Sequence, residues 1–191
     1  KRGIYIDLGC NHPIKHNNTY LLHRRGWEGI NIDADEKSIQ EFKNLRKKDY
    51  NIRALISNKK RKIKYYFYHE RSALNTVDAK LVKKRKAKPK KIILRETTTL
   101  NDVIEDSPYN DSKVNLLSVD IENHEYEALK NFKFSKYNID CIVIEILNTS
   151  NKEIETQNQN LNFIIKNNVF KLLKKNNYEM VNWVNSDLVF V

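Results

Sequence analysis

The chain is poor in the residues that build disulfide, zinc or dinucleotide-binding proteins: its 191 residues include two cysteines, three prolines and four glycines. Cys10 and Cys141 fall on separate predicted strands without metal-ligand spacing, which disfavours a disulfide or zinc scaffold and indicates free thiols. No apolar run is long enough to cross a bilayer. The single methionine is Met180 and the chain opens on a predicted strand, so we expect one domain, residues 1–191, cut from a longer polypeptide.

Charge is abundant and of one sign, with a formal net charge of +11. Much of it lies in two runs, Lys59 to Lys62 and Lys83 to Lys91, and the second run contains no aromatic residue. Such runs are either solvated surface or a patch that attracts an anion, such as a nucleotide-sugar, a lipid-linked diphosphate, an acidic glycan, a membrane surface or RNA.

The strongest local pattern is an acidic turn after an apolar run. Gly3 to Ile6 predicts a buried strand, which leads into Asp7 and Gly9, and glycine allows the backbone to bend sharply and approach a ligand. A second predicted strand ends at Asp33, 24 residues after Gly9. This spacing is typical of an acid that binds a ribose diol. Because the later glycines of a pyrophosphate-binding turn are missing, the pattern favours S-adenosylmethionine over NAD.

Predicted strands alternate with helices along most of the chain. Strands are expected at 3–8, 28–33, 52–57, 114–120 and 139–147, with an added strand at 62–68 and a further strand at 92–98. Helices are expected at 19–25, 35–48, 100–104, 125–132 and 161–175, with an Asn-rich connection at 148–160. Two strands at the C-terminus should form a hairpin. This order predicts an α/β, doubly wound, mostly parallel sheet with one antiparallel C-terminal strand.

Several segments together resemble one enzyme family, the FkbM family of S-adenosylmethionine-dependent methyltransferases. The resemblance spans nearly the whole chain and rests on Tyr5 to Pro13, Asn17 to Tyr20, Arg25 to Trp27, Gly29 to Ala34 and Leu117 to Glu125. It implies the class I (Rossmann-like) methyltransferase fold and transfer of a methyl group to a hydroxyl, often on a sugar or glycosylated product. The chain departs from the family's usual pattern at Ser118, where lysine is usual, and at Asn123, where glycine is usual.

Ligands of a doubly wound sheet bind beyond the carboxyl ends of the parallel strands. We therefore assign Asp33 to the ribose hydroxyls of the cofactor and Gly9 to its ribose and methionine side. Asp35 is expected to cap the following helix rather than to bind the cofactor. The full set of expected cofactor-binding residues is Asp7, Gly9, Asn11, Asn18, Asp33, Ala34 and Ala54.

The reactive side chains are expected around the end of the strand at 114–120. Asp120, Glu122 and His124 are the catalytic candidates, because a sugar hydroxyl needs a base or a metal to remove its proton. Asp120 and Glu122 could alternatively hold a divalent cation, Mg²⁺ or Mn²⁺. The other reading of His124 is packing against the next helix, with Glu125 as a cap. Residues expected near the acceptor are His12, His16, Ser72 and Glu145.

Two other functions compete with methylation of a carbohydrate or glycoconjugate. An RNA methyltransferase would account for the charge, but the Asn/Asp-Pro-Pro-aromatic pattern typical of base amino-group methylation is missing. A cofactor-binding module without activity would account for the departures at Ser118 and Asn123. The expected partners are an anionic or carrier-linked acceptor and an adjoining domain of the parent polypeptide, with no nucleic acid and no membrane span. The expected location is the cytoplasm.

Overall fold

A seven-stranded sheet forms the centre of the computed structural model, which describes residues 2–147 and 160–191. Its strands are β1 (Ile4–Leu8), β2 (Glu28–Asp33), β3 (Tyr50–Arg53), β6 (Val114–Val119), β7 (Cys141–Glu145), β8 (Met180–Val184) and β9 (Asp187–Phe190). They lie side by side in the order β3-β2-β1-β6-β7-β9-β8. All neighbouring pairs from β3 to β7 are parallel, and β9 runs antiparallel to both β7 and β8. The expected doubly wound sheet with one antiparallel strand is confirmed.

Short helices connect the strands, and within the described residues none is long and apolar enough to cross a membrane. They are α1 (Tyr20–Arg24), α2 (Glu36–Leu45), α3 (Ala79–Lys84), α4 (Leu100–Glu105), α5 (Glu125–Leu129), α6 (Phe134–Tyr137), α7 (Leu161–Lys166) and α8 (Asn168–Lys175). Asp35 caps α2 as expected, because its carboxylate accepts hydrogen bonds from the backbone N–H groups of Lys37 and Ser38.

Two expected elements differ from the structure. The single helix predicted at 161–175 is broken at Asn167, whose extended backbone ends α7 and whose side chain caps α8 by accepting from the Val169 N–H. The strand predicted at 52–57 leaves the sheet after Arg53, and Ile56 forms only an isolated bridge to Thr98. The released segment then reaches the edge of the sheet where the cavity described below lies. The Asn-rich connection lies, up to residue 159, outside the described residues.

A second, two-stranded antiparallel sheet contains β4 (Lys62–Phe67) and β5 (Lys91–Glu96). Both predicted strands are present, and their pairing in a sheet of their own is a finding of the structure. The long connection between β4 and β5 includes α3 and most of the lysine-rich run. Residues 71–73 and 75–77 of this connection line the cavity.

The core is centred on a row of aliphatic side chains that crosses four neighbouring strands. Ile6 on β1 pairs with Ile30 on β2 and Leu117 on β6, and Leu117 pairs with Ile142 on β7. All four side chains have 0% exposure. Burying each of them contributes roughly 1.5–3 kcal/mol, so the row fixes the register of the strands whose ends form the site.

Candidate functional site

The turn after β1 is built so that only glycine fits at its tip. Gly9 has a φ of +86°, and a Cβ there would lie 1.8 Å from the backbone oxygen of Asp120. The Gly9 N–H donates to the Ile32 carbonyl at 2.8 Å, which ties the turn to β2. The ends of β1, β2 and β6 therefore meet at this residue.

A cavity opens at the same edge of the sheet, where the parallel strands end. It encloses about 990 Å³, including the solvent at its mouth. The turn after β1, the ends of β2 and β6, the segment after β3 and the β4–α3 connection form its walls. The predicted site residues on these walls are Gly9, Asn11, His16, Asp33, Ala34, Ala54, Ser72, Asp120, Glu122 and His124.

Asp33 is held rigidly at the end of β2. Its two carboxylate oxygens accept hydrogen bonds from the backbone N–H groups of Asn11, at 2.9 Å, and Asp35, at 2.7 Å. Burial raises the pKa of Asp33 to about 6, and the two backbone bonds oppose that rise. Each carboxylate oxygen retains a second lone pair for a ligand hydroxyl.

Four predicted site residues do not reach the wall. Asp7 is buried and accepts hydrogen bonds from Thr19 Oγ1 at 2.7 Å and Asn17 Nδ2 at 2.8 Å. These bonds satisfy its carboxylate inside the protein, so Asp7 shapes the turn instead of facing the cavity. Asn18 is exposed and donates to Ser118 Oγ at 3.1 Å, where the family usually has lysine.

His12 also serves the turn. Its Nδ1 atom accepts from the backbone N–H groups of Ile14, at 3.0 Å, and Lys15, at 3.1 Å. Its Nε2 atom lies 3.8 Å from the Glu41 carboxylate. His16, in contrast, lies on the cavity wall with a φ of +48°. Of the two histidines beside Pro13, the structure brings only His16 to the cavity.

Three carboxyl groups gather where β6 and β7 end. Single oxygens of Asp120, Glu122 and Glu145 all lie within 4.8 Å of one another. Burial and the neighbouring acids raise the pKa of Glu145, which favours the protonated form of its carboxyl. Burial in the cavity wall raises the pKa of Asp120 to about 6, although its side chain is open to the cavity's solvent. Glu145 is the fourth residue off the wall, directly behind Asp120.

The turn between β6 and α5 holds Glu122 in the cavity. Glu122 and Asn123 both have left-handed backbones, with φ of +57° and +71°. Asparagine adopts this conformation more readily than most residues, which accounts for Asn123 at the family's glycine position. Glu125 anchors the turn by accepting from the Ile121 N–H at 3.0 Å and the Asn123 N–H at 3.2 Å. Glu125 therefore holds the turn before α5 and does not cap the helix, whose N-cap residue is His124.

His124 lines the cavity, and its ring contacts the buried side chain of Ser57. Its Nε2 atom lies 3.2 Å from Ser57 Oγ, and burial lowers the pKa of His124 to about 4. The ring is therefore neutral at physiological pH and a weaker base than either neighbouring acid.

Two residues of the site were missed in the sequence. Arg85 lies inside the lysine-rich run, yet its guanidinium is buried and forms an ion pair with Glu122. Tyr65 on β4 is 4% exposed and lines the cavity, with Arg95 packed 5.0 Å above its ring. The alternation of Lys64 and Tyr65 could have shown that one face of β4 is buried. Nothing in the run of basic residues distinguishes Arg85.

A third residue missed in the sequence is Arg46, whose hydrogen bonds hold the turn after β1 in place. It has 1% exposure, and its guanidinium donates to Thr19 Oγ1 and Asn17 Oδ1, each at 2.7 Å, and to the Pro13 carbonyl. The sequence shows Arg46 only as one of several basic residues at the end of a helix.

Comparisons with known proteins identify the family of the chain and a solved structure with a similar fold. The sequence model of the methyltransferase FkbM domain matches residues 7–178. Among solved structures, the crystal structure of methyltransferase FkbM from Methylobacillus flagellatus KT is similar, with a TM-score of 0.54 and 14% sequence identity. The match covers 100% of this chain and 44% of that chain, so this chain spans less than half of its length. A search of curated proteins gives no match.

Proposed function

Because the chain belongs to the FkbM methyltransferase family, we propose that it transfers a methyl group from S-adenosylmethionine to a hydroxyl of a sugar or glycoconjugate. The observation that carries the proposal is the meeting of three strand ends at one cavity. Gly9, Asp33 and Asp120 come from β1, β2 and β6 and share its wall. The adjacent order of these strands accounts for that convergence.

The cofactor end of the cavity is the side formed by β1 and β2. Asp33 accepts the two ribose hydroxyls, for which its carboxylate is already oriented by the N–H groups of Asn11 and Asp35. Gly9 leaves room for the methionine part. Ala34 and Ala54 have side chains small enough to leave space beside the adenine, and they line the same wall. Asp7 and Asn18 act indirectly, through the shape of the turn.

Asp120 is the residue that removes the acceptor's proton. S-adenosylmethionine supplies an electrophilic methyl group on a sulfonium. Asp120 takes the hydroxyl proton as the oxygen attacks the methyl carbon and the carbon–sulfur bond breaks, a role worth about 10²–10⁴ in rate. The raised pKa of Glu145 favours a protonated carboxyl, which can donate to Asp120 in the same cluster. Glu122 is held by Arg85 and can accept a second acceptor hydroxyl.

A divalent cation is the alternative means of activating the hydroxyl. The carboxyl oxygens of Asp120, Glu122 and Glu145 lie within 4.8 Å of one another, a spacing that suits Mg²⁺ or Mn²⁺. One Glu145 oxygen is buried without a hydrogen-bond partner, which also suits a cation ligand. In that case these residues would hold the ion, and the ion would lower the pKa of the acceptor hydroxyl.

The acceptor enters from the side of the β4–α3 connection, where His16 and Ser72 line the wall. We further propose that it is anionic or attached to an anionic carrier. The support is the position of the lysine-rich run, which reaches the cavity through the contact of Arg85 with Glu122. A cytoplasmic location is supported by the unpaired thiols Cys10 and Cys141.

Asp120→Asn tests the catalytic assignment. The substitution should lower turnover with an accepted glycan about 10²–10⁴-fold and leave binding of S-adenosylhomocysteine nearly unchanged. Asp106→Asn, at an exposed acid at the end of α4, is the control and should keep full turnover. A chelator that abolishes turnover, with recovery on added Mg²⁺ or Mn²⁺, would select the metal. Near-normal turnover of Asp120→Asn would reject both roles. Wild-type protein that binds S-adenosylhomocysteine but methylates neither glycans nor RNA would be a binding module.

A further inference from the structure

The outer face of the β4–β5 sheet presents apolar side chains to solvent. The antiparallel register places Tyr66 opposite Ile92 and Lys64 opposite Leu94, and residues directly opposite each other share one face. Ile92 is 57% exposed and Leu94 is 66% exposed. Tyr65 points the other way, into the cavity. The apolar pair is therefore not required for the wall of the site.

Two lysines share the outer face with this apolar pair. Lys62 and Lys64 are exposed on β4, and Lys64 lies directly opposite Leu94. The chain enters β5 directly from the lysine-rich run, in which Lys86, Lys88 and Lys90 are also exposed. Glu96 is the one acidic residue of the two strands and lies opposite Lys62. The face thus combines exposed aliphatic groups with a strong local excess of positive charge.

We propose that this outer face, formed by Lys62, Lys64, Tyr66, Ile92 and Leu94, docks on the surface of an anionic lipid bilayer. Ile92 and Leu94 insert at the boundary between headgroups and acyl chains, and the lysines contact the anionic headgroups. Each interaction is weak alone, and stable attachment to a membrane surface needs both kinds. The proposal does not depend on the methyl transfer.

Charge and side-chain type favour lipid over other occupants. A second copy of the chain would bring two lysine-rich faces together, which is unfavourable. Single-stranded nucleic acid would gain from aromatic side chains on which bases stack, whereas the most exposed apolar residues here, Ile92 and Leu94, are aliphatic. An anionic bilayer is complementary to both the lysines and the aliphatic pair.

Docking in this way would place the cavity close to the membrane. One segment of the chain connects the site to the outer face. It begins at Arg85, which pairs with Glu122, and ends at Lys91, the first residue of β5.

Vesicle co-sedimentation tests the proposal with the whole chain. Wild-type protein should bind vesicles of phosphatidylcholine mixed with phosphatidylglycerol, bind pure phosphatidylcholine far less, and lose binding in high salt. Ile92→Ser combined with Leu94→Ser should weaken binding to the anionic vesicles about tenfold or more, as should Lys62→Gln combined with Lys64→Gln. The matched control is Val181→Ser with Val184→Ser, since these residues on β8 are 57% and 55% exposed.

The variants' thermal unfolding is measured in parallel to show that they fold. The proposal is overturned if wild-type protein does not prefer anionic vesicles, or if loss of the apolar pair leaves binding intact. It is also overturned if sedimentation velocity shows a wild-type dimer that the apolar variant breaks, or if binding is directed to RNA and depends on the lysines alone. S-adenosylhomocysteine binding is independent of every one of these results and reports separately on the proposed enzyme activity.

Discussion

The Asp33 carboxylate has two tasks that a single side chain can combine. It accepts hydrogen bonds from the backbone N–H groups of Asn11, in the turn after β1, and Asp35, in the turn after β2. It also retains lone pairs that face the cavity. Because the backbone bonds fix its orientation before a ligand arrives, little ordering is needed when a ribose binds.

Replacing Asp33 should weaken cofactor binding more than it weakens the fold. A hydrogen-bonded pair of hydroxyls on a charged acceptor is worth roughly 1.5–3 kcal/mol, so Asp33→Ala should raise the dissociation constant of S-adenosylhomocysteine about ten- to a hundredfold. Isothermal titration calorimetry measures this, with thermal unfolding as the check on folding. Asp106→Ala serves as the control at an exposed acid. Equal affinity of folded Asp33→Ala and wild type would remove the ribose assignment.

The raised pKa of Asp33 predicts a pH dependence of cofactor binding. Burial moves that pKa from 3.8 to about 6, and the ionised form is the one that accepts ribose hydroxyls. Binding should therefore be full above that pKa and weaken as the pH falls through it, by about tenfold per pH unit well below it. Calorimetry from about pH 5 to about pH 8 gives the profile. Asp33→Asn should remove this titration, and an unchanged profile in that variant would assign the dependence to another group.

At the scale of the element, the row from β2 to β7 fixes where the strand ends meet. Leu117 is at 0% exposure between Ile6 and Ile142. Leu117→Ala should lower the free energy of unfolding by about 2–5 kcal/mol, because it removes buried methyl groups and leaves a cavity. Chemical denaturation measures the change. Leu21→Ala on α1, where leucine is 69% exposed, should cost much less. Comparable losses in the two variants would show that the row is not a main source of stability.

The β4–β5 sheet and its connection contribute to two surfaces, the cavity wall and the outer face. Tyr65 and Ile93 are opposite each other on the inner face, whereas Tyr66 and Ile92 share the outer face. The period of two along a strand separates these roles. Changes to the outer face can therefore be tested without altering the cavity wall.

For the whole molecule, much of the net charge of +11 lies in the lysine-rich run, which reaches the cavity through Arg85. Neutralising four lysines of the run should raise the apparent KM for an anionic acceptor and change kcat little, and the effect should fade as salt rises. The four are Lys83, Lys86, Lys88 and Lys90. Arg85 is kept, because it pairs with Glu122.

Steady-state kinetics at low and high ionic strength measure this effect. A matched variant removes four exposed lysines from α2, the segment after it and α8, namely Lys43, Lys47, Lys48 and Lys171. Equal KM values for the two variants at low salt would mean that the run acts only as solvated surface.

The sequence by itself determined the architecture and which strand ends carry the candidate site. Alternating apolar strands and helices predict the doubly wound sheet, because hydrophobic period and helix caps are local properties of the chain. Gly9, Asp33 and Asp120 could be identified because strand ends and their spacing are readable in sequence. The family resemblance of the segments around them was confirmed by the match over residues 7–178.

The tertiary structure alone decided which way the remaining polar side chains face. Asp7 is the penultimate residue of β1 and Asp33 is the last residue of β2. Asp7 is turned inward by its bonds to Thr19 and Asn17, whereas Asp33 faces the cavity. Arg85 differs from its lysine neighbours only because Glu122 lies beside it after folding. Such partners come from distant parts of the chain, and a buried polar group is directed by the partner that compensates its lost hydration. The residues that neighbour a polar side chain in the sequence do not show which distant residue becomes its partner.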